Sequence, residues 1–130
     1  MAKSPILAGS KLVAFLPTTN PARSLAFFES VLGLRLVANE KPFALVFDAN
    51  GTMLRVTTVH EHHPASHTVL GWQVDEIEPT VNRLANAGVQ FLRYPGLNDT
   101  GPLPVWTAPS GARIAWFHDP DKNVLSLTQF

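Results

Sequence analysis

The chain repeats itself, and the repeat limits the folds open to it. Phe43 to Val56 (FALVFDANGTMLRV) and Ile114 to Leu127 (IAWFHDPDKNVLSL) share one plan: an apolar strand, an Asp, a tight polar turn and a second apolar strand. Asp48 aligns with Asp119, Leu54 with Leu125 and Arg55 with Ser126, a constant offset of 71. Upstream, Val13-Ala14-Phe15-Leu16 matches Val69-Leu70-Gly71-Trp72, and Gly33 matches Gly88, at offsets of 56 and 55. The jump to 71 marks an insertion between Phe91 and Ile114 in the second copy. Two copies of a strand–helix–strand–strand–strand unit must therefore bury their apolar faces together.

Local signals support this plan. Lys11 to Leu16 reads as a strand ended by Pro17. Asn20-Pro21 is a helix start, because Asn accepts from an orphan N–H and Pro suits the first helical position. Leu25, Phe28 and Leu32 recur at helical spacing, and Gly33 is a helix stop. Strands follow over Arg35–Ala38, Phe43–Phe47 and Met53–Val59, with Asn50-Gly51 as a hairpin turn. In the second copy the strands are Thr68–Val74, Gln90–Tyr94, Ala112–Phe117 and Asn123–Thr128, with Val105–Thr107 as a short edge piece. Ile77, Val81, Leu84 and Gly88 share one helical face, and the helix begins somewhere between Asp75 and Pro79. Pro95 to Pro104 reads as an irregular insertion, either a lid or a plain surface loop.

The fold class that follows is α+β. Two βαβββ modules form a curved, partly closed mixed β-sheet, with helices on the outer face. A chain of 130 residues suits one domain, made of repeats at about 11–60 and 67–129 joined by a polar linker, 60–66. Lys+Arg equals Asp+Glu at 10 each, so a nucleic-acid or acidic-membrane partner is not expected. The chain contains no cysteine, which removes thiolate catalysis, thiolate metal sites and disulfides. No transmembrane helix is expected. Met1 to Ser10 is too weakly patterned for a secretory leader, so a cytoplasmic location is expected.

The motifs SLAFFESVLGL (Ser24 to Leu34) and FHDPDKNVLSL (Phe117 to Leu127), ordered around the repeat, resemble the vicinal oxygen chelate superfamily. This is the glyoxalase, bleomycin-resistance and extradiol-dioxygenase group. The resemblance covers about residues 11–129. It implies a cleft on the concave sheet face and a homodimer. It also implies a divalent metal held by His or Gln on the first strand of each unit and Glu on the last. Those positions fall on Val13, Val69 and Ser126, with Arg55 as the repeat mate of Ser126. Valine offers no donor and arginine repels a cation, so no metal and no other cofactor is expected. One departure is Lys122, where the family usually has Gly; that turn position favours positive φ.

Period-two alternation puts Val13, Phe15, Met53, Arg55, Thr57, Val69, Gly71, Gln73, Val124, Ser126 and Thr128 on the cleft side. Leu12, Ala14, Leu54, Val56, Leu70, Trp72, Leu125 and Leu127 then face the helices. The expected ligand-binding residues are Val13, Phe15, Arg55, Val69, Gln73, Trp106 and Ser126. The apolar members supply contact, Arg55 meets an anionic group, and Trp106 stacks on a planar one. Trp116 is assigned to the core. Tyr94 is either a wall residue or exposed.

His60, His62, His63 and His67 crowd the linker. Pro64 stands where a His-Glu-x-x-His motif needs its second His, so a polar connector is the better reading. His67 is the one side chain near the cleft mouth able to act as a general base. No catalytic residue is assigned. The expected function is metal-independent binding of a small aromatic or anionic molecule. The rival is a metal-dependent lyase, isomerase or dioxygenase that recruits His ligands.

Overall fold

The computed structural model describes residues 6–130; Met1 to Pro5, half of the segment judged above not to be a leader, lie outside it. The strands are β1 (Val13–Thr18), β2 (Arg35–Glu40), β3 (Ala44–Ala49), β4 (Thr52–Thr58), β5 (Thr68–Gln73), β6 (Trp106–Thr107), β7 (Arg113–His118) and β8 (Val124–Gln129). The helices are α1 (Pro21–Leu25), which widens into a π-helical turn over Ala26–Val31, and α2 (Ile77–Asn86). They build the α+β class, with strand orders β1-β4-β3-β2 and β5-β8-β7-β6 in two four-stranded sheets. In each sheet the first strand of the unit runs parallel to the last, and the other pairings are antiparallel. No helix among the described residues is long and apolar enough to cross a membrane.

Alternation along the strands decides the layers. Leu45, Phe47, Leu54 and Val56 from the first sheet and Ala115, Phe117, Leu125 and Leu127 from the second are buried in one cluster with Phe28, Ile77 and Val81. Each large side chain removed from water there contributes about 1.5–3 kcal/mol. The π-helical turn adds a residue to the helix and splits the two phenylalanines. Phe28 packs on Phe47 of its own unit at 5.7 Å, while Phe27 reaches Phe117 of the other at 6.5 Å. Leu12 departs from expectation: it precedes β1 and is 74% exposed. Pro17 does not end β1, which runs on to Thr18. As an edge strand β1 tolerates a missing N–H.

Helix starts follow two routes. Asn20 Oδ1 accepts from Arg23 N at 3.1 Å, as its sequence position suggests. The start of α2 has no local side-chain cap; Ile77 N donates instead to Gln129 Oε1 from β8, at 2.8 Å. Gly33 and Gly88 end their helical segments at φ 76° and 98°.

The two hairpins differ by a residue count that the sequence repeat conceals. Asn50 and Gly51, at φ 52° and 95°, make a two-residue turn between Ala49 and Thr52. In the second unit His118 pairs with Val124, and five residues, 119–123, form the turn. Phe47 and Phe117, opposite Leu54 and Leu125, are thus 70 apart, although the strands after the turn keep the offset of 71. The structural mate of Asp48 is His118, not Asp119. A second difference lies upstream. Gln90–Tyr94 is not a full strand: Phe91 makes one bridge to Phe117, and Leu92 N donates to Trp116 O at 2.8 Å. The edge of β7 is covered by this fragment and by β6, with the insertion looping out between them.

The 119–123 turn also fastens one unit to the other. Asp121 is buried. Its Oδ2 accepts from Thr18 Oγ1 at 2.7 Å and Ser24 Oγ at 3.3 Å, and its Oδ1 accepts from Thr19 N and Oγ1, both at 2.8 Å. Asn123 Nδ2 donates to Pro17 O at 3.2 Å. Burial alone would raise the Asp121 carboxyl, but the bonds from Thr18, Thr19 and Ser24 outweigh it and hold the group below its ordinary value. Asp119 shifts the other way: burial raises it, against bonds from Asn123 and Asp121 N.

Two predictions follow from this turn. A depressed carboxyl stabilises the fold above its unfolded-chain value, about pH 3.9, and that contribution fades as pH falls through the lower folded value. Asp119, shifted upward, contributes in the opposite sense, present at low pH and lost on rising through its folded value. Asp121→Asn is expected to cost about 1–3 kcal/mol at neutral pH. It should also flatten the acid side of the stability profile, read by urea denaturation across pH. Lys122 sits at φ 66°. A left-handed residue costs about 1–2 kcal/mol, and glycine loses about 0.5–1 kcal/mol of that advantage to entropy. Lys122→Gly should therefore stabilise the protein by about 0.5–1 kcal/mol in the same assay.

Candidate functional site

On the first sheet the face turned from the helices carries Val13, Phe15, Met53 and Arg55. Val13 pairs with Met53 and Phe15 with Arg55 across the parallel ladder. Phe15 is 63% exposed, and Val13 and Met53 about 40%. An apolar groove of about 300 Å³ runs over Val13, Val37, Val46 and Met53, rimmed by Lys11, Arg35 and Asp48. Arg55 is half-buried, and its Nη2 meets Glu40 Oε1 at 2.6 Å. The guanidinium therefore reaches across the sheet to β2 and already has a carboxylate partner.

The second sheet's equivalent face is aromatic. Trp116 pairs with Ser126, which pairs on its other side with Gly71. The Trp116 indole stacks on Trp106 at 6.1 Å and meets Tyr94 edge-on at 5.2 Å. Its Nε1 donates to Thr68 Oγ1 at 3.1 Å, which fixes the ring. Beneath lies Ser126, its hydroxyl 2.4 Å from where a Cβ on Gly71 would sit. Only glycine leaves that hydroxyl its present position. Gln73 is exposed beside Thr128, and Val69 falls at a register shift in β5.

The structure thus brings Val13, Phe15 and Arg55 together on one sheet and Trp106 and Ser126 together on the other. Val69 and Gln73 flank the second group. Trp116, Tyr94, Thr68 and Glu40 were not among the expected site residues. Trp116 was assigned to the core on tryptophan's general tendency to be buried. The offset of 70 set by strand pairing matches it to Val46, on the open face. Alternation with the buried Ala115 and Phe117 was the signal that could have found it.

The remaining candidates separate. The 95–104 insertion is knotted on itself by the buried Asn98. Its Nδ2 donates to Leu92 O at 3.0 Å and Pro104 O at 3.1 Å, and its Oδ1 accepts from Tyr94 N at 2.7 Å. In the linker His62 Nε2 bonds Asn123 Oδ1 at 2.8 Å, His63 lies 3.3 Å from Glu61, and His67 is exposed. Val13, Val69, Arg55 and Ser126 do not fit a divalent cation: two are hydrocarbon, one is cationic, and one is a single hydroxyl. No group of three or more His, Cys, Asp or Glu among the described residues is arranged to hold a metal ion.

Two βαβββ units, each closed by a parallel first–last strand pair, define a paired-module α+β protein with its open faces on the sheets. A profile of the Glyoxalase/Bleomycin resistance protein/Dioxygenase superfamily matches residues 11–127, and the chain belongs to that superfamily. Among solved structures, a putative glyoxalase family protein from Bacillus anthracis aligns with TM-score 0.76 at 11% identity, over 99% of this chain and 98% of that one. Lactoylglutathione lyase from Agrobacterium tumefaciens aligns with TM-score 0.73 at 14% identity, over 95% of each chain. TioX from Micromonospora sp. ML1 aligns with TM-score 0.70 at 21% identity, over 93% of this chain and 98% of that one. At these identities the likeness is one of fold. No curated protein matches the chain.

Proposed function

We propose that this protein binds a small planar organic molecule, aromatic or anionic, without a metal ion. The observation that carries the reading is the Trp106–Trp116–Tyr94 wall standing over Ser126 and Gly71. Indole and phenol rings offer a large rigid surface to a flat guest, and the Ser126 hydroxyl offers one hydrogen bond. Arg55 supplies the charge for an acidic group, exchanging Glu40 for the ligand. Val13, Phe15, Val69 and Gln73 complete the contact surface. The chain works as one domain of two repeats, in the cytoplasm. It pairs as a homodimer. The engagement of His62 with Asn123 and His63 with Glu61 weighs against recruited metal ligands.

The test begins with untagged, dialysed protein. Titration with a panel of aromatic carboxylates should quench tryptophan fluorescence, and EDTA should leave the affinity unchanged. Trp116→Ala should weaken the best ligand roughly tenfold, the equivalent of one well-formed aromatic contact. Stoichiometric zinc, iron, manganese or nickel that survives dialysis and is required for binding would overturn the reading. Arg55 has its own check. Glu40→Gln frees the guanidinium and should raise affinity for the anionic ligand several-fold, while Arg55→Ala should lower it by a similar factor. Identical affinities in calorimetry would remove Arg55 as the anchor.

A further inference from the structure

We propose that the junction of the two units carries a second binding site, for a small carboxylate with an apolar tail, gripped by Lys122 and His118. A groove of about 350 Å³ opens there between Phe27 and Val31, at the end of the first helical segment, and Phe91 and Leu92 beside β7. A neighbouring groove of about 530 Å³, along Pro64 to Ser66 and Tyr94, shares Leu92, His118 and Lys122 with it. These three side chains stand where the two depressions meet.

The chemistry there favours an anion. Lys122 makes no ion pair among the described residues. The acid at the groove is Asp119, and its oxygens are already engaged: Oδ1 accepts from Asp121 N and Asn123 N, and Oδ2 from Asn123 Nδ2. An ammonium and an imidazole thus face an apolar trough with no carboxylate free to answer them. His118 and Lys122 line both grooves together, and burial, with the positive charge of Lys122, lowers the imidazole, so His118 meets a carboxylate as a neutral N–H donor beside the ammonium. The backbone gives independent support. Lys122 occupies a left-handed turn position that glycine would fill at less cost, and strain of this kind persists where the side chain has a use. The apolar walls suit an alkyl or aryl tail, so a carboxylate is a better guest than inorganic phosphate. None of the residues of the aromatic wall that carries the reading above, apart from Tyr94 at the rim, takes part.

Octanoate is the probe, followed by calorimetry and by chemical-shift perturbation of the His118 ring. Wild-type protein should bind it saturably. Lys122→Gly, which should fold at least as well, should weaken binding roughly tenfold, as expected for the loss of a charge-assisted contact. Lys122→Arg should retain binding, and His118→Gln should lose several-fold. Octanol should bind wild type and Lys122→Gly alike, and inorganic phosphate should not compete. Trp106→Ala and Arg55→Ala should leave octanoate affinity unchanged, so failure here is separable from failure of the aromatic site. Equal octanoate affinity in wild type and Lys122→Gly, no saturable binding at low-millimolar octanoate, or loss of binding in Trp106→Ala would overturn the proposal.

Discussion

Alternation along β1, β4 and β5 sets one face of each sheet against the helices and leaves the other more open, while in β8 Val124 and Ser126 are buried on that second face as well. Leu54, Val56, Leu125 and Leu127 are all nearly inaccessible, while their neighbours Met53, Arg55 and Thr128 keep contact with solvent. Because the period is two, a single residue added within a strand would send every following side chain to the wrong face. Extra residues must fall in turns or at the sheet edge. The second unit obeys this. Its longer 119–123 turn adds one residue between β7 and β8 without disturbing either strand, and its large insertion interrupts only the edge of β7.

That longer turn holds the two units together. A two-residue turn like Asn50-Gly51 has no side chain to spare for another unit. The 119–123 turn supplies Asp121 to the Thr18–Ser24 segment and Asn123 to Pro17 and His62. Buried carboxylates are tolerated only when their lone pairs are met, and here both are. Asp119 turns inward to organise the turn, and Asp121 turns outward to reach the first unit. With total stability of a domain this size at about 5–15 kcal/mol, one such latch is a sizeable share of it.

The repeat, the two hairpins and the two-faced strands were legible because each rests on local chemistry: Asn-Gly for a tight turn, Gly33 and Gly88 for helix ends, alternation for strand faces. What was not legible depends on distant partners. The start of α2 could not be placed because Gln129, far along the chain, caps it. The insertion is irregular, as read, but the bonds by which Asn98 organises it run to main-chain carbonyls and carry no motif. Trp116 was misassigned because residue type alone favours burial, whereas its pairing with Ser126 puts it on the open face. Glu40 escaped notice because an ion pair across three strands leaves no trace in spacing.

Under the proposed function the open faces would divide the work of recognition. The second sheet presents flat aromatic surface in which Trp116 is tied to Thr68, and such pre-positioning would lower the entropy lost by the proposed guest on docking. The first sheet supplies charge in a form that can be exchanged. Glu40 is about half exposed, so its pair with Arg55 is screened by water and contributes little to stability. The ligand carboxylate proposed above would meet less water beside this apolar surface than Glu40 does, and the same guanidinium would bind it more strongly. The ion pair thus holds Arg55 extended across the sheet, and the small cost of breaking it would leave the guanidinium open to the acidic ligand proposed for this face.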